Sequence, residues 1–409
     1  PVLLRIGSTS GASNVFRQAV LRTGTHSINF RPLNATIYVE LSSPSKAPVL
    51  VSSVEFEASG TLELPTPWDT VERCKLVRWA QSGDVVFCAC KGVKQRRIER
   101  RPNNSWSLVE YDTNDGPYLT ENTEQIRLTP DALSGEITIT ASQKIFQSGH
   151  VGCLFRMSSQ GQKVEGALAS SSSFTNEIRV VGVDSGRDVT VDVSGTFVGD
   201  VRLQRSLGEP GNWTTVATYT SATNTTYNDA LDNQIAYYRI GFGSGDYTSG
   251  TANASLDYQS GTITGVVRIT GYTDESTVEA VVLSDLGGTD ATEVWAEGAW
   301  SDVSDWPEAV ALWDGRLWWT GAGRNYGSIS DAFTSFDPDF EGDAGPINRR
   351  NGEGAVGQSH WALPLQRLLI GTGGSENTVQ STSFEEPVTP TNYNVKTPST
   401  KGSKSAPAS

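Results

Sequence analysis

The chain has 409 residues, more than one hydrophobic core usually organises, and carries a formal net charge of −14. Such acidity argues against a general nucleic-acid coat, and four cysteines in so long a chain exclude a disulfide scaffold. With 41 glycines and short alternating runs of Ser, Thr and Val, the composition favours many short strands joined by tight turns, so the expected class is all-β.

The opening PVLLRIGSTSG lacks the apolar core of a signal peptide, and no apolar run approaches the roughly 18 residues of a membrane helix. The expectation is therefore synthesis in a cytosol with no membrane-spanning segment.

Residues 1–110 hold 14 Lys/Arg against 9 Asp/Glu, the reverse of the overall balance. Within them, WAQSGDVVFCACKG (residues 79–92) has an aromatic residue, a polar turn, an apolar strand and a glycine turn. Cys88 and Cys90 in that strand read either as buried thiols or as half of a metal site that no local His or second Cys pair completes. The basic strip KGVKQRRIERR follows, with Lys91, Lys94, Arg96, Arg97, Arg100 and Arg101. It reads as a contact for an acidic partner or passing DNA, or as a solvated strand with alternating long side chains.

Further on, the Ser/Gly-rich residues 158–176 read as a linker or exposed loop. Residues 187–258 contain VTVDVSG, DVRLQRS, WTTVATYT and IAYYRIGFG, alternating apolar with polar between turn-rich pieces, and suit a small inserted sandwich. The aromatic–turn–strand pattern then returns twice, in WDGRLWWTGAGR (residues 313–324) and WALPLQRLLIGTGGSE (residues 361–376). Their spacing of about 50 residues is that of one four-stranded propeller blade.

The expected organisation is a β-propeller-like body over 1–170 and 259–396, interrupted by a linker at 171–186 and a β-sandwich at 187–258. Residues 397–409 have no apolar period and read as an extended strap or a cut end.

Candidate chemistry is sparse. His26, His150 and His360 are scattered and fit no zinc or hydrolase motif, and no catalytic residue or cofactor site is expected. GAGRNYG and GTGGSE read as tight turns, since neither has a dinucleotide or phosphate-loop spacing. Asp337, Asp339, Glu341 and Asp343 alternate around a glycine as calcium-loop ligands do, but no closing bidentate Glu follows, so an acidic surface loop is the other reading. Sequon-like triplets at Asn34, Asn103, Asn212, Asn224 and Asn253 carry little weight without an export signal.

Residues 295–319 place six of the eleven tryptophans within 25 residues. They would serve either as an aromatic platform for a sugar or as packed core. Burying one ring is worth about 4–6 kcal/mol, so most should be covered. Trp318 and Trp319 are adjacent on a predicted strand, and both can be buried only if the sheet is covered on two sides.

Several ordered pieces carry a family resemblance. TLELPTPWDTVERCKLVRWAQSGDVVFCAC, RRIERRPNNSWSLVEY, DGPY and WSDVSDWPEAVALWDGRLWWTGAG resemble tail proteins of short-tailed bacteriophages, of the tail tubular protein B or nozzle type, annotated in some phages as a stabilisation protein. So do GSISDAFTSF, LLIGTGGSENTV and EEPVTPTNYNVKTPSTKGS; together the match covers roughly residues 20–170 and 290–403. RSLGEPGNWTTVATY, the Tyr227 to Asp229 turn and YYRIG resemble fibronectin type III or immunoglobulin-like modules in a generic way. The resemblance implies a non-enzymatic virion protein with a propeller body, in a six-fold ring of like subunits below a ring-shaped adaptor. It also implies a channel for DNA ejection, and the inserted sandwich is expected to offer a docking surface for tail fibres, neighbouring subunits or the host envelope. Family members commonly have a segment before the matched region and further strands after it.

Overall fold

The computed structural model describes residues 2–404 apart from 44–48, 58–59, 102–103, 352–356 and 384–385. The regular secondary structure described is nearly all strand, and the chain divides into two compact units, Pro1–Pro117 with Ala299–Ser409, and Tyr118–Gly298. Among the described residues the α-helix is a single short piece, Val71–Leu76, capped by the Thr70 hydroxyl, which accepts from the Arg73 N–H. No closed barrel is present among the described strands.

The first unit contains three antiparallel meanders. The first runs Arg78–Ser82, Val85–Cys90, Val93–Arg100 and Ser105–Glu110, with Gly24–Ile28 added beside its last strand. Ala309–Trp313, Arg316–Gly321, Arg324–Gly327 and Ile347–Arg350 make the second. Ser359–Pro364, Leu368–Thr372, Glu376–Gln380 and Asn394–Ser399 make the third. Each aromatic–turn–strand repeat seen in the sequence opens one of these sheets. A separate three-stranded sheet holds Phe16–Leu21, Val2–Gly7 and Tyr38–Ser42 in that order.

Turn chemistry sets the second meander. Asp314 and Gly315 both have positive φ (52° and 70°), so WDGR closes the tight hairpin in which Trp313 pairs with Arg316. Across the same sheet Trp318 faces Gly327, and a Cβ on that glycine would lie 3.1 Å from the indole ring. The absent side chain lets the ring lie flat on the neighbouring strand.

Trp318 and Trp319 are both fully buried. Trp318 joins Ala311, Ile347, Leu368, Ile370, Val379 and Val388, which places it between the second and third meanders. Trp319 lies 4.9 Å from the Tyr111 ring and 6.5 Å from Phe87, both in the first meander or just after it. The second sheet is thus covered on both faces, as adjacent buried tryptophans require.

The second unit is one large sheet dominated by three long strands, Leu154–Leu168, Val189–Leu207 and Ala236–Asp274. It has two apolar cores, one built on Ile178, Val191, Leu203, Ile240 and Leu256, the other on Leu128, Ile139, Phe155, Val267 and Val278. Two boundaries differ from expectation. Residues 158–168 form no loop: they continue a ladder from Leu154 opposite Arg268 to Leu168 opposite Ala252, broken by one irregularity after Gln160. Nor is 171–186 a linker, because Ser173–Phe174 and Ile178–Val180 pair with Ala236–Asp274 and Asp184–Arg187 is a 3-10 turn. The interrupting unit accordingly takes in 118–170 and 259–298 as well as 187–258, since the long strands tie both cores together.

Thr397 lies in the last strand of the third meander, and Ser403 donates from its N–H to the Thr372 carbonyl, so 397–404 lie on the body; 405–409 fall outside the described residues.

Candidate functional site

The first strands of the three meanders begin close together. Arg78 opens the first, Glu308 immediately precedes the second, and Ser359 opens the third. The Ser359 to His360 backbone is held from two sides. Its N–H donates to Glu308 Oε2 at 2.6 Å, and its His360 carbonyl accepts from Arg78 Nε at 2.7 Å. Lys91, in the turn after Val85–Cys90, donates to Gln358 Oε1 at 2.9 Å and lies 3.8 Å from Glu308 Oε1. Sequence reasoning reached Lys91 and His360 singly; nothing in the sequence marked Glu308, whose role depends on a partner 51 residues away.

Burial pushes the Glu308 carboxyl up, while the Ser359 N–H and the Lys91 ammonium pull it back. The same burial lowers the Arg78 guanidinium and, with the Arg78 and Lys91 charges, the His360 imidazole. Glycoside hydrolysis needs two carboxyl groups presented to a sugar. Here the Glu308 side chain is about nine-tenths buried and both of its oxygens face groups of the body, so its geometry is that of a clamp.

The basic strip is not a bare positive surface. Lys94 lies 2.7 Å from Glu110 and 2.6 Å from Asp112, Arg96 lies 3.5 Å from Glu110, and Arg100 lies 2.5 Å from Asp84. Arg97 is buried against Glu99 at 3.4 Å and stands over the Tyr111 ring; Arg101 is 2.7 Å from Glu99. Long side chains alternate as expected for a strand, but carboxylates from the same sheet answer them.

Among the described residues no group of three or more His, Cys, Asp or Glu is gathered for a metal, and the Asp337, Asp339, Glu341 and Asp343 carboxylates do not converge. Local bonds shape that loop instead. The Asp339 N–H donates to Asp337 Oδ1, and the Asp343 carbonyl accepts from Arg316, whose buried guanidinium also binds the carbonyls of Ser328, Ala344 and Gly345. Cys88 and Cys90 are buried free thiols; burial pushes Cys88 up to about 12 and raises Cys90, which disfavours the thiolate a metal would need.

His26 Nε2 donates to the Arg22 carbonyl and its Nδ1 accepts from the Ser107 hydroxyl at 2.8 Å. That is the geometry of a base beside a nucleophile, but Ser107 is fully buried and also accepts from Arg101. The pair is 81 residues apart in sequence and left no signal there. His150 accepts from the Gln147 N–H and closes a 3-10 turn. Of the sequon positions, Asn103 lies outside the described residues and Asn224 donates to Asp192.

None of the six rings in residues 295–319 is exposed; Trp300, Trp306, Trp318 and Trp319 are buried, and Trp295 and Trp313 are half-buried. The exposed tryptophan of the body is Trp79. Among the described residues no helix is long and apolar enough to cross a membrane.

No family model matches the chain, and no curated protein matches it.

Proposed function

We propose that this chain is a structural, non-catalytic subunit of the tail nozzle of a short-tailed bacteriophage, acting in the virion. Like copies stand in a six-fold ring beneath an adaptor, near the tail fibres, around the path of exiting DNA. The observation that carries the reading is the layout of the body: blade-like meanders packed on both faces of the Trp318 to Trp319 strand, interrupted after Pro117 by a separate all-β unit. The blade-like body is what the sequence resemblance implies; the interruption follows from the strand and turn pattern. An acidic chain also suits a conduit that should not retain phosphate.

A carbohydrate-binding role fares less well, because no ring in residues 295–319 is exposed. Cryo-electron microscopy of assembled tails is the test. The expected density places this chain in a ring below the adaptor with acidic residues along the lumen. A lumen lined by Lys and Arg would sink the conduit argument, and absence of the chain from the tail would overturn the whole reading.

A further inference from the structure

Two uncovered features lie close together in the chain. Tyr38–Ser42 is the outer strand of the three-stranded sheet, paired among the described residues with Val2–Gly7 on one side only. Val39 faces Ile6 and Leu41 faces Leu4 across that ladder, on the side where Leu4, Ile6 and Phe16 form a small core. Ile6 and Leu4 are buried, yet Val39 and Leu41 remain exposed, so the apolar face is left uncovered at its open edge. Residues 49–57, VLVSSVEFE, belong to no helix or sheet and carry Leu50 at 93% exposure with Val51, Val54 and Phe56 also exposed.

An apolar segment of strand-like composition standing in water is costly, and an open apolar edge is a template for another strand. We propose that residues 49–57 of one copy add as a strand to the Tyr38–Ser42 edge of a second copy of this chain. Donor and acceptor differ, so the contact is head-to-tail and propagates around a ring. Charge favours the match: the three-stranded sheet holds Arg5 and Arg17 against Glu40, whereas 49–57 hold Glu55 and Glu57 and no basic residue. Length suffices too, since nine residues reach about 30 Å and a five-residue edge needs about 17 Å. The inference deepens the proposed ring assembly and rests on it for closure of the ring.

The test uses the full chain. Sedimentation velocity compares it with the double variant Val51→Pro and Val54→Pro, which removes two backbone donors from a segment outside the described sheets. In a Cys74→Ser background, chains bearing Val39→Cys are mixed with differently tagged chains bearing Leu50→Cys and oxidised. Strand addition predicts self-association weakened at least tenfold by the prolines, and a disulfide joining the two tags. Association unchanged by the prolines would leave the ring standing and overturn the strand addition. So would a disulfide that forms within a third chain bearing both Val39→Cys and Leu50→Cys but not between the two tagged chains, because the segment would then fold back on its own edge. A chain that stays monomeric and gives no mixed disulfide at any concentration overturns this inference and the ring together.

Discussion

Trp318 and Trp319 are consecutive residues of one strand whose rings serve opposite interfaces, Trp318 toward Leu368 and Ile370 of the third meander and Trp319 toward Tyr111 and Phe87. Two adjacent residues thereby fasten three sheets. Replacing either by Ala should cost about 3–5 kcal/mol of stability, by lost transfer energy and a cavity. Urea unfolding of the full chain measures it; a loss below about 1 kcal/mol at either site would contradict the two-sided packing.

Fluorescence separates core from platform. In a Trp79→Phe background, which removes an exposed ring, the remaining emission of the body should resist acrylamide and stay unchanged on titration with host polysaccharide. A saturable spectral shift would instead assign rings of residues 295–319 to ligand binding.

The junction at Glu308 gives a paired prediction. Glu308→Gln keeps an oxygen for the Ser359 N–H and removes a carboxylate that burial already disfavours, so stability should change by less than about 1 kcal/mol. Glu308→Ala leaves that buried N–H unpaired and should cost about 1–3 kcal/mol. Equal effects of the two variants would show that the Ser359 bond is not what matters.

In the second unit, Arg187 and Asp229 form a buried bidentate pair with both contacts at 2.6 Å, and the Tyr238 hydroxyl donates to the same carboxylate. Burial alone would raise the Asp229 carboxyl, but the bonds from Arg187, Tyr238 and the Leu231 N–H outweigh it and hold it at about 2. Because the folded value lies below the unfolded one, the pair's contribution is complete above about pH 4 and fades as pH falls through about 2. A depression of this size corresponds to about 2 kcal/mol. Hydrogen exchange in Val189–Leu207 should therefore accelerate over that window, and Asp229→Asn should remove the window while destabilising the unit at neutral pH by about 3–5 kcal/mol.

Charge reversals in the basic strip should separate by burial. Lys94→Glu, partly exposed, should cost about 1 kcal/mol or somewhat more through repulsion with Glu110 and Asp112. Arg97→Glu would bury a carboxylate beside Glu99 and under the Tyr111 ring, and should markedly destabilise the body. Thermal unfolding ranks them; equal, small shifts would return the strip to the role of an open contact surface.

What was legible in the sequence was whatever repeats or alternates locally. The three aromatic–turn–strand units announced three meanders, and the adjacency of Trp318 and Trp319 demanded cover on both faces. Residues 158–168 misled because Ser, Gly and Gln in a polar run resemble a linker, while the ladder to residues 252–264 is set by the partner strand. Glu308 with Ser359, Ser107 with His26 and Arg187 with Asp229 were invisible for one reason. Each is an isolated polar residue whose partner is fixed only once distant strands are in register.

The interruption after Pro117 has a temporal consequence. The Ala299 N–H donates to the Pro117 carbonyl, so the body's chain leaves and returns at one point. During synthesis the first meander emerges long before the strand that carries Trp319, and the face bearing Phe87 and Val109 must wait uncovered while 181 intervening residues are made. The intervening unit has its own cores and can fold during that wait, bringing Ala299 back beside Pro117. Its early folding would shorten the search by which the second meander finds the first, giving it a part in the birth of the body as well as in the finished molecule.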